Sequence, residues 1–207
     1  MDVKLIYITP NPEKIIEEAG RTAHESFDRL TPDSHVKFIR MLLKLGHESV
    51  LEHAVASFRI SGVSRSLTHQ LVRHRIASYT QKSQRYVNES NFDYVIPYTI
   101  LANNEALIIY KDFMERTRDV YKKLINLGIP KEDARFVLPN ATKTEIVLTA
   151  NFRELRHMIK LRGSKEAQWE IRNVFIEILK ILKEYAPTVF EDFVIEKDYI
   201  RIRDVKE

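Results

Sequence analysis

The chain has 207 residues, 44% of them hydrophobic and 30% charged, with a net charge of +4; this is apolar side chain enough for one sizeable core, so a single domain over residues 1–207 is expected. No cysteine is present, which excludes disulfides, zinc knuckles and every thiolate nucleophile. None of the five glycines stands in a GxGxxG or GxxxxGK pattern, so any phosphate must be held mainly by side chains.

The mild positive balance suits anionic ligands without amounting to a polybasic tail. The opening MDVKLIYITP has neither a charged-then-apolar leader nor a small-residue cleavage site, and apolar runs are short, so the expected location is the cytoplasm, away from membranes. In chain order, KLIYIT at 4–9 predicts a strand, and PEKIIEEAGRTAHES from Pro12 predicts a helix with proline in its first turn. A second helix is predicted with Thr31 as cap, Pro32 in first position, Val36, Ile39 and Leu43 at helical spacing and Gly46 as its end. AVASFRIS at 54–61 alternates like a strand, VSRSLTHQLVRH at 63–74 returns to a helical pattern, and 76–86 reads as an extended loop or edge segment.

A long helix is predicted over 103–127, with Tyr110, Phe113, Thr117, Val120, Leu124 and Leu127 as its packing stripe. TKTEIVLTA at 142–150 predicts a strand, and NFRELRHMIKLRG a helix ending at Gly163. EAQWEIRNVFIEILKILKEYA predicts another helix, with Ile171, Phe175, Ile178, Leu182 and Tyr185 on one stripe and Pro187 beyond it. The expected fold class is α/β (α+β): a small mixed or antiparallel sheet covered by helices.

The densest polar stretch is HQLVRHRIASYTQKSQRY, His69 to Tyr86. On a helix Gln70, Arg73 and His74 would share a face. On an extended segment Gln81, Ser83 and Arg85 would alternate onto one side. Arg135 and Arg162 stand in apolar surroundings, and Leu155, Met158 and Ile159 put Arg162 on the continuation of a buried stripe, so it requires a partner. An arginine's planar fork suits phosphate, at about 1.5–3 kcal/mol per charge-assisted contact. His47 with His53 and His69 with His74 do not have the HExxH spacing of a zinc site, so no metal is expected.

Arg73-His74-Arg75, then seven residues, then Ser83 within SxRY, resembles the signature of flavin-dependent thymidylate synthases. GHESVLEH at 46–53, ARFVLP at 134–139 and LRGSKEAQWEI at 161–171 resemble further segments of that family in the family's order, so nearly the whole chain is covered. The resemblance implies that dUMP is bound by Gln70, Arg73, Gln81, Ser83, Arg85 and Arg135, with Arg162 approaching the pyrimidine as the catalytic residue. It assigns FAD to Ser49, Arg73, His74, Arg75, Gln81, Asn151, Arg153 and His157, with Gln81 between the two ligands. It further implies reduction by NADPH, 5,10-methylenetetrahydrofolate as carbon donor, and a homotetramer with active sites at subunit interfaces. Some relatives carry glutamate at the position of Gln81, asparagine at that of His157 and histidine at that of Glu166.

The cysteine-dependent thymidylate synthases activate the fifth ring carbon of uracil by thiolate addition to its neighbour. This chain has no thiol. The alternative that the resemblance implies is electrostatic activation of the base, with reduced flavin taking part in carbon transfer and delivering hydride; Arg162 as a permanently charged guanidinium suits the charge-stabilising part. Ser83 reads as a hydrogen-bonding group for the ligand rather than a nucleophile, since no base and orienting carboxylate accompany it at recognisable positions. Two other readings stay open on these residues. One is a basic RNA- or DNA-binding protein using HQLVRHR as its helix, with Tyr79 and Tyr86 stacking on bases; the other is a flavoprotein reductase without methyl transfer.

Overall fold

In a computed structural model, residues 1–203 are described. The strands are β1 (Asp2–Ile8), β2 (Val55–Ser64), β3 (Ser78–Gln81), β4 (Lys143–Asn151), β5 (Phe193–Glu196) and β6 (Tyr199–Ile202). The helices are α1 (Pro12–Thr22), α2 (Ser34–Leu45), α3 (Arg65–Leu71), α4 (Tyr98–Leu101), α5 (Asn104–Asn126), α6 (Lys131–Ala134), α7 (Phe152–Arg162) and α8 (Trp169–Tyr185). The expected α/β class is met, and no helix among the described residues is long and apolar enough to cross a membrane.

Four strands form a sheet in the order β1-β2-β4-β3, and β5 and β6 form an antiparallel hairpin. The backbone N–H of Thr9, just past β1, donates to Val55 O at the start of β2, and Phe152 N–H, just past β4, donates to Ala54 O, so β2 runs antiparallel to both neighbours. Strand β4 alternates strictly between half-buried and buried residues, the period of a pleated strand with one face in a core.

The chain divides into two compact units. The first contains residues 61–70 and 80–146 with the two N-terminal residues; the second contains 3–60, 71–79 and, among the described residues, 147–203. In the second unit, Ile171, Val174, Phe175, Ile178, Leu179 and Leu182 of α8 are fully buried, each contributing roughly 1.5–3 kcal/mol through the apolar surface it removes from water. Tyr185, expected on that stripe, is exposed, because the helix gives way to Ala186 one residue later.

Several expectations are corrected. Helix α2 begins at Ser34 with Asp33 at its cap position; Thr31 instead donates its N–H to Ser34 Oγ in the turn before. Gly46 does end the helix, at φ +71°, where a side chain would be strained. On α5 the buried residues are Met114, Thr117 and Tyr121, whereas Phe113, Val120 and Leu127 are exposed, so the expected stripe combined two faces. The β5–β6 hairpin and the short 3₁₀ turns Phe27–Arg29 and Glu48–His53 were not expected.

Candidate active site

The helix expected over 63–74 is only α3, Arg65–Leu71. Arg73 and His74 therefore lie in the turn that follows, not on a helical face shared with Gln70. Tyr79 explains the stop: its single hydroxyl proton is shared between Leu71 O at 2.8 Å and His74 O at 3.1 Å, two carbonyls that further helix would have used. Burial, with Glu154 nearby, raises the Tyr79 pKa, so the phenol keeps the proton it donates. Arg73 and Arg75 project from this pinned turn as exposed side chains, and His74 points inward, 6% exposed.

Two turns of α7 meet His74. Arg162 Nε donates to His74 Nε2 at 2.9 Å, and Glu154 Oε1 lies 3.3 Å from His74 Nδ1. Accepting at Nε2 requires that nitrogen to be unprotonated, which leaves the neutral ring's proton on Nδ1, facing Glu154. Burial, with Arg162 and His157 as neighbours, pushes the imidazole down to about 4, so it is neutral at pH 7. Glu154, buried as well, has its pKa raised. Arg162 is half-buried at the end of the helix, and the partner it was expected to require is an imidazole backed by a carboxylate.

Along the same helix a cleft of about 690 Å³ is lined by Asn151, Arg153, Glu154, Arg156, His157 and Lys160, together with Glu48, Glu52, Ile76 and Asp192. Asn151 caps α7 by accepting Glu154 N–H at 2.8 Å, so its place at the cleft mouth is set by the helix start. Arg153 Nη1 is held by Glu52 at 2.6 Å, on the same 3₁₀ turn as exposed Ser49. The His157 ring stands edge-on to His74, with centroids 5.8 Å apart.

In the first unit, strand β3 stops at Gln81, so Ser83 and Arg85 sit in the turn beyond it and the expected alternation ends after one residue. Gln81 Nε2 donates to Thr68 Oγ1 at 2.9 Å and Thr144 Oγ1 at 3.2 Å, both on buried threonines, which fixes the amide. Ser83 Oγ accepts Arg85 N–H at 3.2 Å, and its proton is left for another acceptor. Glu132 gathers two arginines: its carboxylate holds Arg85 Nε at 2.5 Å and its carbonyl accepts Arg135 Nε at 2.9 Å. Arg65, not singled out from sequence, is half-buried, and burial together with Arg135 lowers its pKa. Cations crowded in this way favour an anion.

Sequence reasoning missed Tyr79 as the pin of the turn, Glu132 as the hub of two arginines, and Glu154. The last carried a misleading signal: an asparagine cap with glutamate three residues on reads as a capping box, in which the carboxylate turns back to the cap. Here it reaches His74 instead.

Each unit thus presents guanidinium groups fixed by carboxylates, carbonyls or a neutral imidazole, in a chain without thiols or a glycine-rich cradle: an α/β protein whose candidate site is built from cationic side chains. Residues 4–188 match the family described as thymidylate synthase complementing protein, and the chain belongs to that family. It is 43% identical over 200 residues to the flavin-dependent thymidylate synthase of Geobacter sulfurreducens, covering 93% of this chain and 86% of the relative. It is 46% identical over 194 residues to that of Pyrococcus furiosus (89% and 78%), and 42% identical over 211 residues to that of Clostridium tetani (91% and 85%).

Proposed function

We propose that the chain is a flavin-dependent thymidylate synthase that methylates dUMP to dTMP, taking carbon from 5,10-methylenetetrahydrofolate and using FAD reduced by NADPH. The observation that carries the reading is Arg162, a half-buried guanidinium held by a neutral imidazole in a protein that contains no thiol. A permanent charge placed beside the pyrimidine stabilises the negative charge that develops as the ring proton leaves. Gln70, Arg73, Gln81, Ser83, Arg85 and Arg135 are assigned to the nucleotide: the arginines to its phosphate, and Gln81 and Ser83 to polar groups of its sugar and base.

FAD is assigned to Ser49, Arg73, His74, Arg75, Gln81, Asn151, Arg153 and His157. The donor set in the second unit fits such a cofactor. Arg153 and Lys160 suit a pyrophosphate, Asn151 and His157 offer neutral hydrogen bonds, Ile76 gives apolar contact, and the cleft is within the size range of cofactor sites. Both ring nitrogens of His74 are engaged, by Arg162 and Glu154, so what it offers the cofactor is the ring itself rather than a free nitrogen. The flavin supplies hydride, which with the methylene carbon completes a methyl group. The active unit is a homotetramer in the cytoplasm, with sites at subunit interfaces.

The nucleic-acid reading is disfavoured because its basic helix would have to run through Arg73 to Arg75, and α3 ends at Leu71 with His74 buried. The purified protein should be yellow, its flavin spectrum should shift on addition of dUMP, and with NADPH and methylenetetrahydrofolate it should form dTMP. A colourless protein that binds polynucleotide with steep salt dependence would refute the assignment. Colour without dTMP would reduce it to a flavin reductase.

A further inference from the structure

Residues Glu154, Met158 and Arg162 follow one another at intervals of four along one face of α7. Met158 is fully buried and Glu154 nearly so, so this face of the helix is packed at its start and middle and opens only at Arg162. His74, from the turn after α3, spans the two ends, with Nε2 accepting from Arg162 and Nδ1 directed at Glu154. The flavin and nucleotide assignments give no task to Glu154, although its buried carboxylate is a costly group to maintain away from water.

We propose that Glu154 is a positioning residue for methylation: by holding the proton of His74 on Nδ1 it keeps Nε2 as an acceptor, and thereby fixes the guanidinium of Arg162 against the pyrimidine. The proposal rests on the assignment of Arg162 to the base made above. Its physical basis is the two-sidedness of neutral imidazole. One nitrogen accepts only while the other carries the proton, and the group facing the second nitrogen decides which tautomer prevails. If the proton moved to Nε2, that N–H would face the Nε–H of Arg162, two donors in contact, and the guanidinium would turn away. The turn bearing His74 cannot follow it, because Tyr79 ties Leu71 O and His74 O to one hydroxyl.

Two variants separate this role from a structural one. Glu154→Gln keeps an oxygen that can accept from Nδ1 without the charge, whereas Glu154→Ala removes the acceptor. Nitrogen NMR of His74 should show the Nδ1–H tautomer in the native protein and in Glu154→Gln, and a shift toward Nε2–H in Glu154→Ala. In steady-state assays Glu154→Ala should lower kcat by roughly 10- to 100-fold, the scale on which a small misplacement of a reacting group acts. The KM for dUMP and the flavin content should change little, and Glu154→Gln should recover most of the loss.

An unchanged tautomer in Glu154→Ala, or an unchanged kcat, overturns the proposal. So does a Glu154→Gln protein that retains flavin yet is as slow as Glu154→Ala. If Glu154→Ala fails to fold, Glu154→Gln still decides: normal tautomer with near-native kcat supports the strut, and loss of either refutes it. Absence of dTMP formation by the native enzyme would fail the function itself and the strut's chemical role with it, while the imidazole signal reports independently whether Glu154 governs the tautomer.

Discussion

At the scale of a residue, Arg162 is placed where a fixed charge has large effect: half-buried, so water screens it less, with the bond to His74 made through Nε. Arg162→Ala should keep the fold and the flavin spectrum while dTMP formation drops by at least ~100-fold, the scale seen on removing a single charge-stabilising donor; turnover near native would remove Arg162 from the mechanism. His74 supplies a pH prediction. Its ordinary pKa near 6.5 falls to about 4 in the fold. Below pH 6.5 the unfolded chain therefore takes up a proton that the native protein refuses, so this stability is fully present above 6.5 and is lost as pH falls toward 4. The loss approaches roughly 3 kcal/mol at the acid end. Glu154, with its raised pKa, works in the opposite direction as pH rises, which is why the comparison should be made within one variant pair. Urea unfolding of the flavin-free protein between pH 7.5 and 4 should be distinctly less acid-sensitive in His74→Gln than in the native chain, and equal slopes would mean the imidazole is not held neutral.

Among elements, those whose information is local were legible. Strand β4 alternates at period two, α8 carries its apolar stripe at helical spacing, and Gly46 and Gly163 follow the last residues of α2 and α7. What was not legible depends on contacts between distant segments. The end of α3 is set by a tyrosine eight residues beyond Leu71, and an apolar pattern on two faces of α5 hid which of them packs. The candidate site divides similarly: its arginines stand out in the chain, but the groups that aim them, Glu132, Tyr79 and Glu154, look like ordinary helix or strand residues. Glu13 is a further case. It reads as a first-turn acid on α1, yet it is buried, and its carboxylate accepts Thr188 N–H at 2.6 Å, Val189 N–H at 3.1 Å and Thr188 Oγ–H at 3.0 Å, docking α1 onto the segment after α8. Glu13→Ala leaves these donors without an acceptor and should cost roughly 2–4 kcal/mol in urea unfolding; a loss below about 0.5 kcal/mol, the usual range for a surface change, would mean water replaces the carboxylate there.

For the whole molecule, the second face of α5 is the feature that a monomer does not explain. Ile109, Phe113, Val120 and Leu127 fall within a narrow arc of the helix, roughly 100° from the buried Met114, Thr117 and Tyr121, and Leu127 is 77% exposed. Single exposed apolar residues are ordinary, but a row of three large ones along one helix, continued by Leu127 at its C-cap, is a surface that gains by being covered. In the proposed homotetramer this face is a candidate for burial, since copies of one chain meeting by symmetry can bury the same face on each other. Phe113, near the middle of the row and 55% exposed, is where a charge would do most harm to such a contact and least to the fold of its own chain. Phe113→Glu should therefore lower the mass measured by light scattering below that of a tetramer while the far-ultraviolet helix signal is retained. If active sites draw residues from more than one copy, turnover should fall with the mass and recover partly at high protein concentration, because association is restored by mass action. A Phe113→Glu protein of native mass would place the subunit contacts elsewhere, and one that dissociates with full turnover at every concentration would show that each chain carries a complete site.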